Sequence, residues 1–134
     1  MADAILVLNA GSSSLKFSVF FDSDTAVARG QIEGLPLNPR FVMEGSPGFT
    51  NLAPGLGHAG AAEHLFTVLA RYRLAAAGHR VVHGGTRFTG PVRVDANVLA
   101  ELDALIPVAP LHQPHNVAAI RAVAQHMPTL PQVA

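Results

Sequence analysis

The sequence predicts an α/β fold: a mixed β-sheet with flanking helices. Three observations carry that prediction. The first third of the chain reads as short segments of period two or continuous apolar character, the signature of strands. The rest carries apolar residues at helical spacing, interrupted by one short apolar run. The resulting order is strand, strand, strand, helix, strand, helix, helix, which combines a hairpin with crossover-compatible pieces and so calls for a sheet with both pairing senses.

Ala4 to Leu8 is a continuous apolar run, expected to be a strand buried on both faces. Ala10-Gly11-Ser12-Ser13-Ser14 is a turn cluster. Leu15 to Phe21 then alternates, with Leu15, Phe17, Val19 and Phe21 on one face and Lys16, Ser18 and Phe20 on the other, completing a hairpin. After an Asp22-Ser23-Asp24 turn, Ala26 to Ile32 reads as a weaker third strand. Leu35 to Gly60 is rich in Gly and Pro and reads as loop, with a short strand at Arg40 to Met43. Gly60 to Leu74 carries Leu65, Phe66, Leu69 and Tyr72 at helical spacing, and Gly78 is a stop signal beyond it. Arg80 to His83 reads as a short strand opening into Gly84-Gly85. Asp95 is an N-cap for a helix through Leu105 with Val98, Leu99, Leu102 and Ile106 inside. Pro114 suits the first turn of a last helix, with Val117, Ile120 and Ala124 facing in.

The bulk composition narrows the functional classes. With 134 residues, 49% of them hydrophobic and 13% charged, the chain is one domain's worth with enough apolar matter for a core. Nine basic residues balance nine acidic ones, which removes the electrostatic basis for a nucleic-acid partner. No like-charge run marks a membrane-surface patch. There is no cysteine, so disulfides and thiolate metal sites are excluded, in keeping with a reducing compartment. The N-terminal residues lack the basic stretch of a signal peptide, and their apolar run breaks at Asn9, far short of a membrane span. A cytoplasmic location is the expectation. At the other end, Pro128 to Ala134 reads as a turn followed by the opening of an apolar strand, which suggests a chain cut inside a larger protein.

The densest polar motif is Asn9-Ala10-Gly11-Ser12-Ser13-Ser14-Leu15-Lys16-Phe17. Gly11 permits a tight turn and close approach of a ligand to the backbone. The serines supply hydroxyl and amide donors, and Lys16 a positive charge. Ser14 and Lys16 share a face of the second strand, and Asn9 ends the first. Such a set suits a phosphate, or a hydrated Mg²⁺ with its preference for oxygen ligands. A polar turn whose serines bond their own backbone fits the same residues. The motif is not a Walker A loop, because the second Gly beside Lys-Ser/Thr is missing and a strand follows.

Gly78-His79-Arg80-Val81-Val82-His83-Gly84-Gly85 is the second motif. As a strand it would place Arg80 and Val82 on one face, a guanidinium beside an apolar wall, suited to a small carboxylate with a short alkyl tail. A buried Arg paired with an internal carboxylate is the alternative. The third motif, Ala109-Pro110-Leu111-His112-Gln113-Pro114-His115-Asn116, holds Leu111 in a proline-bracketed loop able to wall an apolar pocket. The seven histidines are scattered, without the spacing of a transition-metal site.

These three motifs, in this order, resemble signature segments of the acetate kinase family, which includes propionate kinases. The resemblance runs over essentially the whole chain and about the first third of a family-length protein. It implies the actin-like, sugar-kinase-like ATPase superfold, with this chain an incomplete N-terminal domain (residues 1–134) and the C-terminal nucleotide-binding domain absent. It implies phosphoryl transfer between ATP and acetate, giving acetyl phosphate and ADP, with Mg²⁺, in a homodimer with no nucleic-acid or membrane partner. By the same resemblance Asn9 takes part in catalysis and positions Mg²⁺ and phosphate. Ser12, Ser14 and Lys16 bind the ATP phosphates. Arg80 holds the substrate carboxylate and takes part in catalysis, while Val82 and Leu111 line the methyl pocket. The family's catalytic Asp, His and Arg fall beyond Ala134, and the Leu35 to Gly60 stretch departs from the family pattern. Two rivals stand beside acetate kinase: propionate kinase, and a catalytically incomplete fragment retaining a phosphate- and carboxylate-binding half-site, inactive by itself. A regulatory small-anion-binding domain is a third.

Overall fold

The computed structural model describes residues 3–81, 88 and 90–134. Strands β1 (Asp3–Ala10) and β2 (Ser14–Phe20) form the expected hairpin, with Ile5 opposite Phe20 and Ala10 opposite Leu15. β3 (Ala28–Glu33), β4 (Arg40–Met43) and the two-residue β5 (Thr50–Asn51) extend the sheet antiparallel from β2. On the other side of β1 lie β6 (Arg73–His79) and β7 (Gln132–Val133), both parallel. The strand order is β5-β4-β3-β2-β1-β6-β7, so β1 is the seam between an antiparallel and a parallel half. The mixed sheet is the predicted one.

One face of the sheet carries the core. Ala4, Leu6, Leu8 and Ala10 of β1 and Leu15, Phe17 and Val19 of β2 point to it and are buried. Helices α1 (His58–Val68) and α3 (Gln113–His126) cover it with Ala61, Ala62, Leu65, Ala119, Ala122 and Val123. Phe17 stacks on Phe41 of β4 at 6.1 Å between ring centroids, extending this core towards the antiparallel edge. A smaller cluster joins Leu102 of α2 (Ala96–Asp103) to Val117 and Ile120 of α3.

The opposite face is open. Ile5 and Val7 of β1 are 36% and 38% exposed, so the strand expected to be buried on both faces is buried on one. Its apolar run belongs to two environments that the pleat separates.

Local chemistry explains the helix ends. Asp95 caps α2 as predicted, its carboxylate accepting from the Val98 N–H at 2.8 Å. Pro114 sits in the first turn of α3, where its missing N–H costs nothing. Ala124 is exposed, and Ala119, Ala122 and Val123 fill the inward positions beside Val117 and Ile120.

The main correction concerns residues 69–81. The helix read as Gly60 to Leu74 ends at Val68, and Leu69–Arg71 is a single 3₁₀ turn. The strand read at Arg80 to His83 lies earlier, at Arg73–His79, with Arg80 and Val81 beyond its end. Gly78 is inside the strand rather than a helix stop. The Leu74-Ala75-Ala76-Ala77 run has helical propensity, but its small side chains suit a strand laid between β1 and β7, and that packing decides. Among the described residues no helix is long and apolar enough to cross a membrane.

Candidate functional site

The hairpin loop is closed by its own backbone. The Gly11 N–H donates to the Ser14 carbonyl at 2.9 Å, and a Cβ added at Gly11 would stand 3.0 Å from the Ser14 hydroxyl. Further ties come from behind. The Leu35 N–H donates to the Ser13 carbonyl at 2.9 Å. The Asn116 amide of α3 donates to the Ala10 carbonyl at 3.0 Å. His58, first residue of α1, meets the Gly11 carbonyl through Nε2 at 2.6 Å. A carbonyl only accepts, so Nε2 carries the hydrogen. The carbonyls of Ala10, Gly11, Ser13 and Ser14 are thus all engaged by donors of the protein. Carbonyl oxygens repel an anion, and amide N–H groups attract one. Turning the carbonyls inward leaves a loop suited to a negative group.

Beside the loop, three polar side chains form a row on the open face. Asn9 is the direct ladder partner of Lys16. Leu8 pairs with His79, and the Arg80 N–H donates to the Leu8 carbonyl at 3.0 Å, so Arg80 stands one step on, next to Asn9. Since Leu8 and His79 point into the core, the pleat sends Asn9 to the other face together with Lys16. Lys16 and Arg80 are exposed and Asn9 is half-buried. Ser14 shares the face of Lys16 and is half-buried, while Ser12 is exposed at the loop tip.

Two clefts on this face meet at Val7. One, of 580 Å³, runs along Asn9, Lys16, Ser18, Gln31 and Val42. The other, of 630 Å³, is lined by Arg80 together with Val81, Phe88, Pro91 and Val133. The first offers polar donors next to the loop; the second sets a guanidinium among apolar walls. The pair of surfaces can accept an anion on one side and a carboxylate with a short apolar tail on the other. Val82 and His83 lie outside the described residues. Leu111 is 74% exposed in the turn before α3 and does not line the Arg80 cleft. Among the described residues no group of three His, Cys, Asp or Glu is placed to hold a metal.

The loop's supports were not singled out from the sequence. His58 follows a Gly-rich stretch with no motif around it. His115 stacks on His58 at 4.8 Å between centroids. Its pKa is lowered from 6.5, first by burial and then by His58 and His112 nearby. His79 is 9% exposed and bonds through Nε2 to the Gln132 side-chain oxygen at 2.5 Å, while the Gln132 amide donates to the Ile120 carbonyl at 3.3 Å. Burial lowers the pKa of His79, and the bond to Gln132 partly opposes this. Asn116 belongs to the third motif, but nothing in the sequence brings that motif to the hairpin loop.

The acetokinase family model matches residues 4–134. The chain is 45% identical to an acetate kinase of Rhodopseudomonas palustris and 43% identical to one of Rhizobium meliloti, over 100% and 98% of its own length. It spans 37% of the length of each of these relatives. Among solved structures it superposes on a propionate kinase from Francisella tularensis with a TM-score of 0.88 and 34% identity, covering 100% of this chain and 36% of that one. It superposes on Porphyromonas gingivalis acetate kinase with a TM-score of 0.85 and 31% identity, covering 98% and 36%. The chain shares their actin-like ATPase fold over about that third of their length.

Proposed function

Since the chain belongs to the acetokinase family, we propose that it forms the N-terminal domain of a kinase transferring a phosphoryl group between ATP and acetate, giving acetyl phosphate and ADP. The observation that carries this reading is the row Lys16, Asn9, Arg80 beside the hairpin loop, with its two clefts meeting at Val7. In this reading the second, nucleotide-binding domain lies in the remaining length of the polypeptide, and the 134-residue chain by itself does not turn over.

Phosphoryl transfer asks of the protein chiefly alignment and charge neutralisation. A carboxylate oxygen attacks the γ-phosphorus as the bond to the ADP oxygen breaks. Arg80 holds the carboxylate, and the apolar wall of its cleft receives the methyl group; Val82 and Leu111 are proposed for the methyl pocket on the family resemblance alone. Ser12, Ser14 and Lys16 take the phosphate oxygens. The donor set at the loop is amide and hydroxyl oxygen, which suits a hydrated Mg²⁺, with Asn9 as the residue nearest to hold it. When bound, that ion supplies charge neutralisation on the phosphates.

The reading extends, on the family resemblance, to a cytoplasmic homodimer without membrane partners; the balance of nine basic and nine acidic residues supports the absence of a nucleic-acid partner. Propionate is the rival substrate, favoured by the likeness to a propionate kinase. Apolar pockets discriminate one methylene by only about 1–3 kcal/mol. The test is the full-length protein with Mg-ATP and each acid, the acyl phosphate trapped by hydroxylamine. Turnover with acetate above propionate supports acetate kinase. The reverse order transfers the assignment to propionate, and no turnover with either acid removes the kinase reading.

A further inference from the structure

Resting on that kinase reading, we infer that His58 is a positioning residue for the phosphate loop: its Nε2–H holds the Gly11 carbonyl turned inward and thereby aims the Ser12 amide N–H at the bound phosphate. The geometry is that of one peptide unit. The Gly11–Ser12 bond is trans, and in a planar trans peptide the carbonyl and the following N–H point in opposite directions. His58 lies behind the loop, on α1, at 2.6 Å from the Gly11 oxygen. The Ser12 N–H therefore points away from α1, and it meets no acceptor among the described residues.

Glycine gives the loop no conformational restraint of its own at this peptide. Without an external donor, the Gly11–Ser12 unit can flip and present its carbonyl to the phosphate. The neighbouring Ala10 carbonyl is held in the same manner by Asn116, which is 2% exposed. There the opposing N–H, that of Gly11, closes the turn onto Ser14. Asn116 thus sets the shape of the turn, and His58 sets the direction of the Ser12 donor. His58 is itself steadied by its stack on His115.

The test compares His58→Phe and His58→Gln in the full-length enzyme. Phe keeps a planar ring and removes the donor; Gln returns an amide N–H at nearly the reach of Nε2. Loss of one hydrogen bond to a charged group predicts a KM for Mg-ATP raised about tenfold in the Phe variant, with the KM for acetate unchanged. The Gln variant is expected within about twofold of wild type, by the same bond restored. A merely structural role would lower the active fraction and leave both KM values in place, and that result overturns the inference. So does an unchanged nucleotide KM. Should the Phe variant not fold, His58→Asn, whose amide is too short to reach Gly11, must show the same selective rise, and a normal KM there overturns the inference. Wild-type turnover separates the two levels. Its absence overturns the kinase reading and this inference with it; its presence beside unaffected variants overturns this inference alone.

Discussion

Lys16 stands directly across the ladder from Asn9, on the sheet face away from the core and beside the mouth of the hairpin loop. An exposed lysine there contributes little to the fold, so its removal should separate binding from stability. Lys16→Ala is expected to change unfolding free energy by no more than about 0.5 kcal/mol. In the full-length protein it should raise the KM for Mg-ATP roughly tenfold or more, the worth of one hydrogen bond to a charged group. Chemical denaturation and steady-state kinetics on the same preparation give both numbers. A normal nucleotide KM would remove Lys16 from the phosphate site.

Arg80 differs from Lys16 in the wall beside it: its cleft is apolar, with Val81, Phe88 and Val133 around the Arg80 guanidinium. Arg80→Ala should raise the acetate KM and lower kcat together, because the carboxylate loses both its anchor and its alignment; a combined loss in kcat/KM of about a hundredfold or more is expected. Arg80→Lys should recover only part of this, since a point charge does not reproduce a bidentate fork. Titrating acetate at saturating Mg-ATP reads the effect. Unchanged acetate kinetics in the Ala variant would withdraw the assignment of Arg80.

His79 makes stability depend on pH. It is buried, and its pKa in the folded protein lies below the 6.5 of the free side chain. Above pH 6.5 the histidine is neutral in both states, and its environment costs nothing. Between 6.5 and the lowered folded value the unfolded chain binds the extra proton, so stability falls as the pH drops through that window. His115, lowered in the same direction, adds to the slope. The melting temperature should therefore decline on acidification from pH 7 towards pH 5. His79→Gln, which keeps a donor for Gln132, should flatten that decline. An equally steep decline in the variant would place the pH sensitivity elsewhere.

Much of this was legible in the sequence because the informative residues are locally governed. The hairpin follows from period-two apolar residues on either side of Gly11 to Ser14, and the α2 cap from Asp95 alone. Residues 69–81 were misread because their structure is decided at a distance. Leu74 to Ala77 lie as a strand only because β1 and β7 flank them, and no local pattern reports that. The same holds at the site. Asn9 and Lys16 follow from the hairpin's own alternation, whereas Arg80 reaches them through the β1–β6 pairing. His58 and Asn116 meet the loop from 47 and 106 residues away, so the ties that orient it have no sequence signature.

Gly30 offers a test of how closely the antiparallel half is packed. It pairs with Phe17 on one side and Met43 on the other. A Cβ built at Gly30 would fall 2.9 Å from the Phe17 ring and closer still to the carbonyl of Val42. Phe17 cannot readily yield, because its ring is buried and stacked on Phe41. The Val42 carbonyl is backbone and cannot swing aside as a side chain would. Gly30→Ala should therefore destabilise the fold by about 1–3 kcal/mol, the usual cost of overpacking, despite the gain that alanine otherwise brings by restricting the unfolded chain. Combining it with Phe17→Leu, which loosens one of the two contacts, should cost less than the sum of the single changes, because the sites touch. Denaturant midpoints of the single and double variants measure this. If Gly30→Ala proves neutral, β3 and β4 have room to separate at this point, and the glycine is not required by the packing of Phe17.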